Sequence, residues 1–86
     1  MGAFNLLIMK IIFYTKNNCP LCDKAEGTLE PFIRKYNILV HKINISDDQD
    51  AYQKYRHMVP VIEFPDDMIL WGRIEGDDIK NALRGS

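Results

Sequence analysis

Apolar and polar positions fall into blocks along this chain, and the spacing within the blocks changes. From about Leu7 to Tyr14 nearly every position is apolar, as in a strand covered on both faces. After the polar stretch Thr15 to Asn18, the spacing turns helical from about Pro20 to Tyr36, with Leu21, Ala25, Leu29, Phe32, Ile33 and Tyr36 on one face. Pro31 removes the bond to the Gly27 carbonyl, so the sequence predicts a kink there or a break into two pieces. From Ile38 to Ile45 the pattern alternates: Leu39, His41, Ile43 and Ile45 share one face and Val40, Lys42 and Asn44 the other, as on an edge or half-exposed strand. Ser46-Asp47-Asp48-Gln49 reads as a capping box with Ser46 as N-cap, opening a short helix to about His57 with Tyr52 and Tyr55 facing inward. Met58 to Phe64 is an apolar strand opened by Pro60, a residue confined to strand starts because it cannot donate to the ladder. On base rates the Val59–Pro60 bond is trans. Pro65-Asp66-Asp67 is a turn, which makes Met68 to Trp71 the second arm of an antiparallel hairpin. Trp71 is expected to pack in the core. A loop from Gly72 to Gly76 precedes a last helix starting at Gly76 or Asp77. Ile79, Ala82 and Leu83 face inward there, and Asp77 and Asp78 suit the first-turn dipole.

The order β-α-β-α-β-β-α implies an α/β fold. The first β-α-β unit needs a right-handed parallel crossover, and the hairpin adds an antiparallel pair. The result is a four-stranded mixed sheet flanked by helices. Eighty-six residues make one domain, 1–86, with a core of about 8–84. Met9 to Tyr14 is itself a natural strand start, so residues 1–7 read as an N-terminal extension, and neither they nor Gly85-Ser86 carry functional weight. A net charge of −1 and a pI of about 6.0 argue against general affinity for nucleic acid or anionic membrane. No apolar run approaches the roughly 20 residues of a membrane-spanning helix. The short apolar run Phe4 to Met9 lacks the basic flank and cleavage site of a signal peptide. The expected location is the cytoplasm, and the expected state a monomer.

The chemistry concentrates in Cys19-Pro20-Leu21-Cys22, which holds both cysteines of the chain at a strand-to-helix junction. A C-x-x-C pair beside a βα pattern reads as a thioredoxin-like redox motif. A helix N-terminus carries unpaired N–H groups and partial positive charge, which stabilise a thiolate. Cys19, at the tip, is therefore the expected nucleophile, with Pro20 at the first helical position and Lys16 adding positive charge nearby. Asp23 acts in the opposite sense. Cys22, Ala25 and Leu29 lie at i, i+3, i+7 on the apolar stripe, so Cys22 is expected to be the more buried, resolving thiol. Other uses of the pair weigh less. A structural zinc site wants four ligands, and His41 and His57 lack the spacing to complete one. His41 reads as a partly solvated strand residue. A ring this small constrains the unfolded chain little as a structural disulfide. A metal or cluster shared between two chains stays open. No metal ligand set within the chain is assigned, and no bound cofactor is expected.

The element order together with Phe13-Tyr14-Thr15-Lys16-x-x-Cys19-Pro20-Leu21-Cys22, Val59-Pro60 and Gly76-Asp77-Asp78 resembles the glutaredoxin branch of the thioredoxin fold, over about residues 8–84. Cys-Pro-Leu-Cys, with Tyr55 shortly before Val59-Pro60-Val61, is closer to a small glutaredoxin-like family. The resemblance implies a dithiol–disulfide oxidoreductase with Cys19 as nucleophile and Cys22 as resolving thiol. It implies a cis Pro60 beside the disulfide and backbone pairing of Val59 with an extended substrate. It also implies that Lys16 and Asp77 or Asp78 hold the charged ends of glutathione, the co-substrate. The partners so implied are glutathione or a protein disulfide.

The sequence departs from that family at three places. Leu21 replaces an aromatic residue, Met58 replaces a threonine, and Ile74-Glu75-Gly76 stands where the family has a double glycine. Glycines there let backbone approach a ligand closely, whereas Glu75 repels a carboxylate. Two alternatives follow: an electron donor to a specific enzyme, recycled by a thioredoxin-type reductase and docking through Trp71, or a non-catalytic metal-, cluster- or protein-binding module.

Overall fold

The computed structural model describes residues 9–85. Its elements run β1 (Met9–Thr15), α1 (Pro20–Lys35), β2 (Ile38–Asn44), a 3-10 turn (Ile45–Asp47), α2 (Gln49–Tyr55), β3 (Val61–Glu63), β4 (Ile69–Trp71) and α3 (Gly76–Gly85). The strands form one sheet in the order β2-β1-β3-β4, with β1 parallel to β2 and every other pair antiparallel. The expected β-α-β-α-β-β-α order and mixed sheet are therefore present. Leu7 and the proposed extension lie outside the described residues.

The core lies on one face of the sheet. Ile11 and Phe13 of β1, Ala25 and Leu29 of α1, Ile62 of β3, Phe64 and Ile74 of the connections, and Ile79 and Ala82 of α3 form one buried cluster. Alternation along β1 explains why: Ile11, Phe13 and Thr15 point into this layer, while Ile12 and Tyr14 point to the other face and stay half-buried. The expectation that β1 is covered equally on both faces fails because α2, seven residues long, shields only part of the second face. On β2, likewise, Ile38 and Val40 pack against the core, while Leu39 and His41 on the opposite face are exposed.

Local corrections follow the same physics. α1 continues through Pro31 as one helix, not as the two pieces that were the alternative to a kink. Pro31 and Gly27 both sit on the solvent side of that helix. Leu21 and Tyr36, assigned to the buried face, are exposed at its two ends, and Tyr36 stacks on Phe32 at 6.4 Å. Ser46 does not cap α2. Asn44 caps the 3-10 turn by accepting the Ser46 N–H at 2.9 Å, and Asp48 caps α2 by accepting the Ala51 N–H at 3.0 Å. The helix ends at Tyr55 rather than His57. Tyr55 is buried as expected, but Tyr52 is exposed. Trp71, expected in the core, is 55% exposed at the end of β4.

Candidate redox site

The strand register brings the chemistry-bearing loops to one end of the sheet. β1 runs toward that end and stops at Thr15, where the chain turns through Lys16, Asn17 and Asn18 into Cys19. Asn18 has a left-handed backbone (φ 54), which asparagine tolerates better than most residues. Tyr14 pairs with Val61, and Val61 with Trp71. One step beyond these pairs lie Thr15, Pro60 and Gly72. The Gly72 N–H donates to the carbonyls of Pro60 (3.0 Å) and Met58 (3.2 Å), tying the loop that leads to α3 against the loop that carries Pro60. A further tie joins the Cys19 loop to the end of β2. The Asn44 Nδ2 donates to Asn17 Oδ1 at 3.0 Å, and the Ser46 N–H on Asn44 Oδ1 fixes which way that amide points.

Cys19 is the N-cap of α1 and Pro20 its first residue. The Cys19 Sγ accepts the Cys22 backbone N–H at 3.1 Å, as an N-cap oxygen would. The two sulfurs are joined as a disulfide, with Cα atoms 5.2 Å apart. Cys19 keeps 7% of its surface exposed and Cys22 only 1%, the expected order of accessibility. Asp23 is exposed in the first turn, its N–H bonded to the Cys19 carbonyl.

The Val59–Pro60 bond is cis, against the base rate and in the form the resemblance implied. Pro60 is fully buried and Val59 half-buried. The Val59 N–H donates to the Tyr55 carbonyl at 3.2 Å, so this donor is already engaged within the chain. Lys16 and Asp77 are exposed at the same end. Asp78 behaves differently from Asp77: its carboxylate accepts the Glu75 N–H at 2.9 Å while Glu75's carbonyl accepts from Asp78 and Ile79. Asp78 is thereby the reciprocal partner that closes the start of α3.

Sequence reasoning left one cluster unassigned. The Tyr55 hydroxyl donates to Glu63 Oε2 at 2.5 Å, and the Tyr14 hydroxyl reaches Glu63 Oε1 at 3.5 Å. The two rings stand 4.7 Å apart. Burial first, then the hydrogen bond to Glu63, pushes the Tyr55 phenol well above its ordinary range. Tyr14 moves the same way, through burial and the Glu63 charge. The signal was present in the sequence: alternation puts Tyr14 and Glu63 on the face that α2 covers.

A cleft of about 760 Å³ opens at the far end of the molecule, lined by Met9, Phe32, Tyr36, Ile38, Leu83 and Arg84 among others. Concavity alone therefore does not lead to the cysteine pair. Among the described residues no three of His, Cys, Asp and Glu gather as a metal site, and no helix is long and apolar enough to cross a membrane.

A family model described as a glutaredoxin-like domain (DUF836) matches residues 10–84. Among solved structures, the structural-genomics target XcR50 from X. campestris superposes with a TM-score of 0.75 at 24% identity, over 88% of this chain and 97% of its own. Protein Ne2328 from Nitrosomonas europaea does so with a TM-score of 0.69 at 24% identity, over 87% of this chain and 89% of its own. Desulfothioredoxin from Desulfovibrio vulgaris Hildenborough, in its reduced form, gives 0.73 at 17% identity, over 99% of this chain and 88% of its own. These likenesses show a thioredoxin-like fold.

Proposed function

The chain belongs to the glutaredoxin-like domain family, and on that footing we propose that it is a dithiol–disulfide oxidoreductase in which Cys19 attacks and Cys22 resolves. The observation that carries this is the place of Cys19: an N-cap sulfur that receives the Cys22 N–H at 3.1 Å and is the more accessible of the bonded pair. In the reduced protein a Cys19 thiolate at that cap is held by the same N–H and by the helix N-terminus.

The thiolate attacks one sulfur of a substrate disulfide, forming a mixed disulfide and releasing the other substrate sulfur as a thiolate. Cys22, deprotonated, then attacks the Cys19 sulfur. The internal disulfide forms and the second substrate thiolate leaves. The substrate gains two electrons and two protons, and the protein loses them. A thiol reductant restores the dithiol, either two equivalents of glutathione or a thioredoxin-type reductase. A reducing compartment such as the cytoplasm supplies both.

Recycling by a reductase, with a protein disulfide as substrate, is favoured by two details. The Asp78 carboxylate is engaged as a helix cap, and Trp71 is exposed at the redox end. The experiment pairs reduction of a glutathione mixed disulfide with reduction of insulin through thioredoxin reductase, for wild type, Cys19→Ser and Cys22→Ser. Cys19→Ser is expected to be silent in both assays. Cys22→Ser is expected to keep only the glutathione reaction, which one thiol can carry. A wild type silent in both assays overturns the reading.

A further inference from the structure

Tyr55 and Glu63 stand at the two ends of the segment that presents Val59 and Pro60. Tyr55 is the last residue of α2, and Glu63 is the last residue of β3. Their side-chain bond, 2.5 Å long with Tyr55 2% exposed, closes the base of this segment like a clasp. The same residue also grips the segment through its backbone, because the Tyr55 carbonyl accepts the N–H groups of Met58 (2.8 Å) and Val59 (3.2 Å). A third arm comes from β1. The Tyr14 ring packs 4.7 Å from the Tyr55 ring, and its hydroxyl reaches the other Glu63 oxygen. Tyr14 lies five residues before Cys19 on the strand that ends in the Cys19 loop.

We infer that the Tyr55–Glu63 pair, braced by Tyr14, is a positioning device that fixes the Val59–Pro60 segment relative to the Cys19 loop and so sets how a disulfide substrate is held. The inference rests on the dithiol–disulfide reading for its kinetic consequence, but the clasp itself does not. Tyr55 and Glu63 touch no reacting sulfur. Their contribution lies in substrate placement, not in the reactivity of Cys19. The bond is short and half-shielded, with Tyr55 buried and Glu63 half-buried, and its loss frees the loop at its base.

The test compares wild type, Tyr55→Phe, Glu63→Ala and Glu63→Gln. The probe is insulin, with dithiothreitol recycling the protein. Tyr55→Phe removes one hydroxyl and leaves the ring packing in place. It is expected to raise KM about five- to tenfold, the size one ordinary side-chain hydrogen bond supports. The kcat and the rate of Cys19 alkylation in the reduced protein are expected to stay at wild-type values. Glu63→Ala should match Tyr55→Phe, and Glu63→Gln, which keeps an acceptor oxygen, should restore KM to within about twofold. Amide exchange gives a readout free of activity: the Met58 and Val59 amides exchange faster in Tyr55→Phe, while those of β1 do not change. An unchanged KM with only a lowered melting temperature overturns the inference, as does unchanged exchange at Met58 and Val59. A wild type that does not speed insulin reduction beyond dithiothreitol alone removes the protein-disulfide substrate, and the exchange measurement then decides the clasp alone.

Discussion

Glu63 is a carboxylate on the sheet face that α2 partly covers, and two phenolic hydroxyls meet it there. Tyr55 and Tyr14 supply them, and both are held neutral by burial and by that carboxylate. A phenol raised above its unfolded value of about 10 favours the fold fully below that pH, and the contribution fades as pH climbs past it. The stability gap between wild type and Tyr55→Phe, read from urea denaturation, should therefore be constant near neutrality and shrink above about pH 10. A gap that stays level through pH 11 contradicts this. Single residues were unevenly legible in the sequence. Cys19 and Cys22 declared themselves by spacing, and Ala25 and Leu29 by period. Trp71 did not, because apolar character says nothing of which residues end an edge strand. Alternation put Tyr14 and Glu63 on one face, but it did not bring in Tyr55, whose bond to Glu63 joins a helix end to a strand end across a turn whose path only the folded chain fixes.

Helix α1 binds the redox pair to the core. Its cap is the Cys19 sulfur, and one helical turn later its stripe Cys22, Ala25 and Leu29 is buried against the sheet. Leu29→Ala is expected to cost about 2–5 kcal/mol by calorimetry or urea denaturation, since Leu29 is 1% exposed in the central cluster. For α2 the capping position was misread. Ser46-x-x-Gln49 fits the capping pattern, yet the 3-10 turn after β2 uses up three residues and moves the cap to Asp48. Asp48→Ala should therefore lower stability by about 1 kcal/mol and Ser46→Ala by much less. An equal loss in both contradicts the placement. Pro31 shows the converse: on the solvent side of a helix anchored at both flanks it did not end the helix, as expected, and did not split it into two pieces.

The arrangement of strands was legible because block spacing and connection lengths leave few ways to close the sheet. Which face each helix covers was less so, since alternation on β1 and β2 is blurred by apolar residues on both sides. One feature of the sheet, its order β2-β1-β3-β4, has a consequence for how the molecule is born. The first strand made is an inner one, and it waits for partners on both sides: β2 ends at residue 44, but β3 begins only at residue 61 and β4 closes the hairpin at residue 71. A chain emerging from the ribosome completes this sheet only once residue 71 is out, and the long-range pairing of β1 with β3 is the slow kind. Until then both sulfurs ride on unfinished structure. Within these residues the two cysteines allow one pairing, and it is the one the folded protein uses.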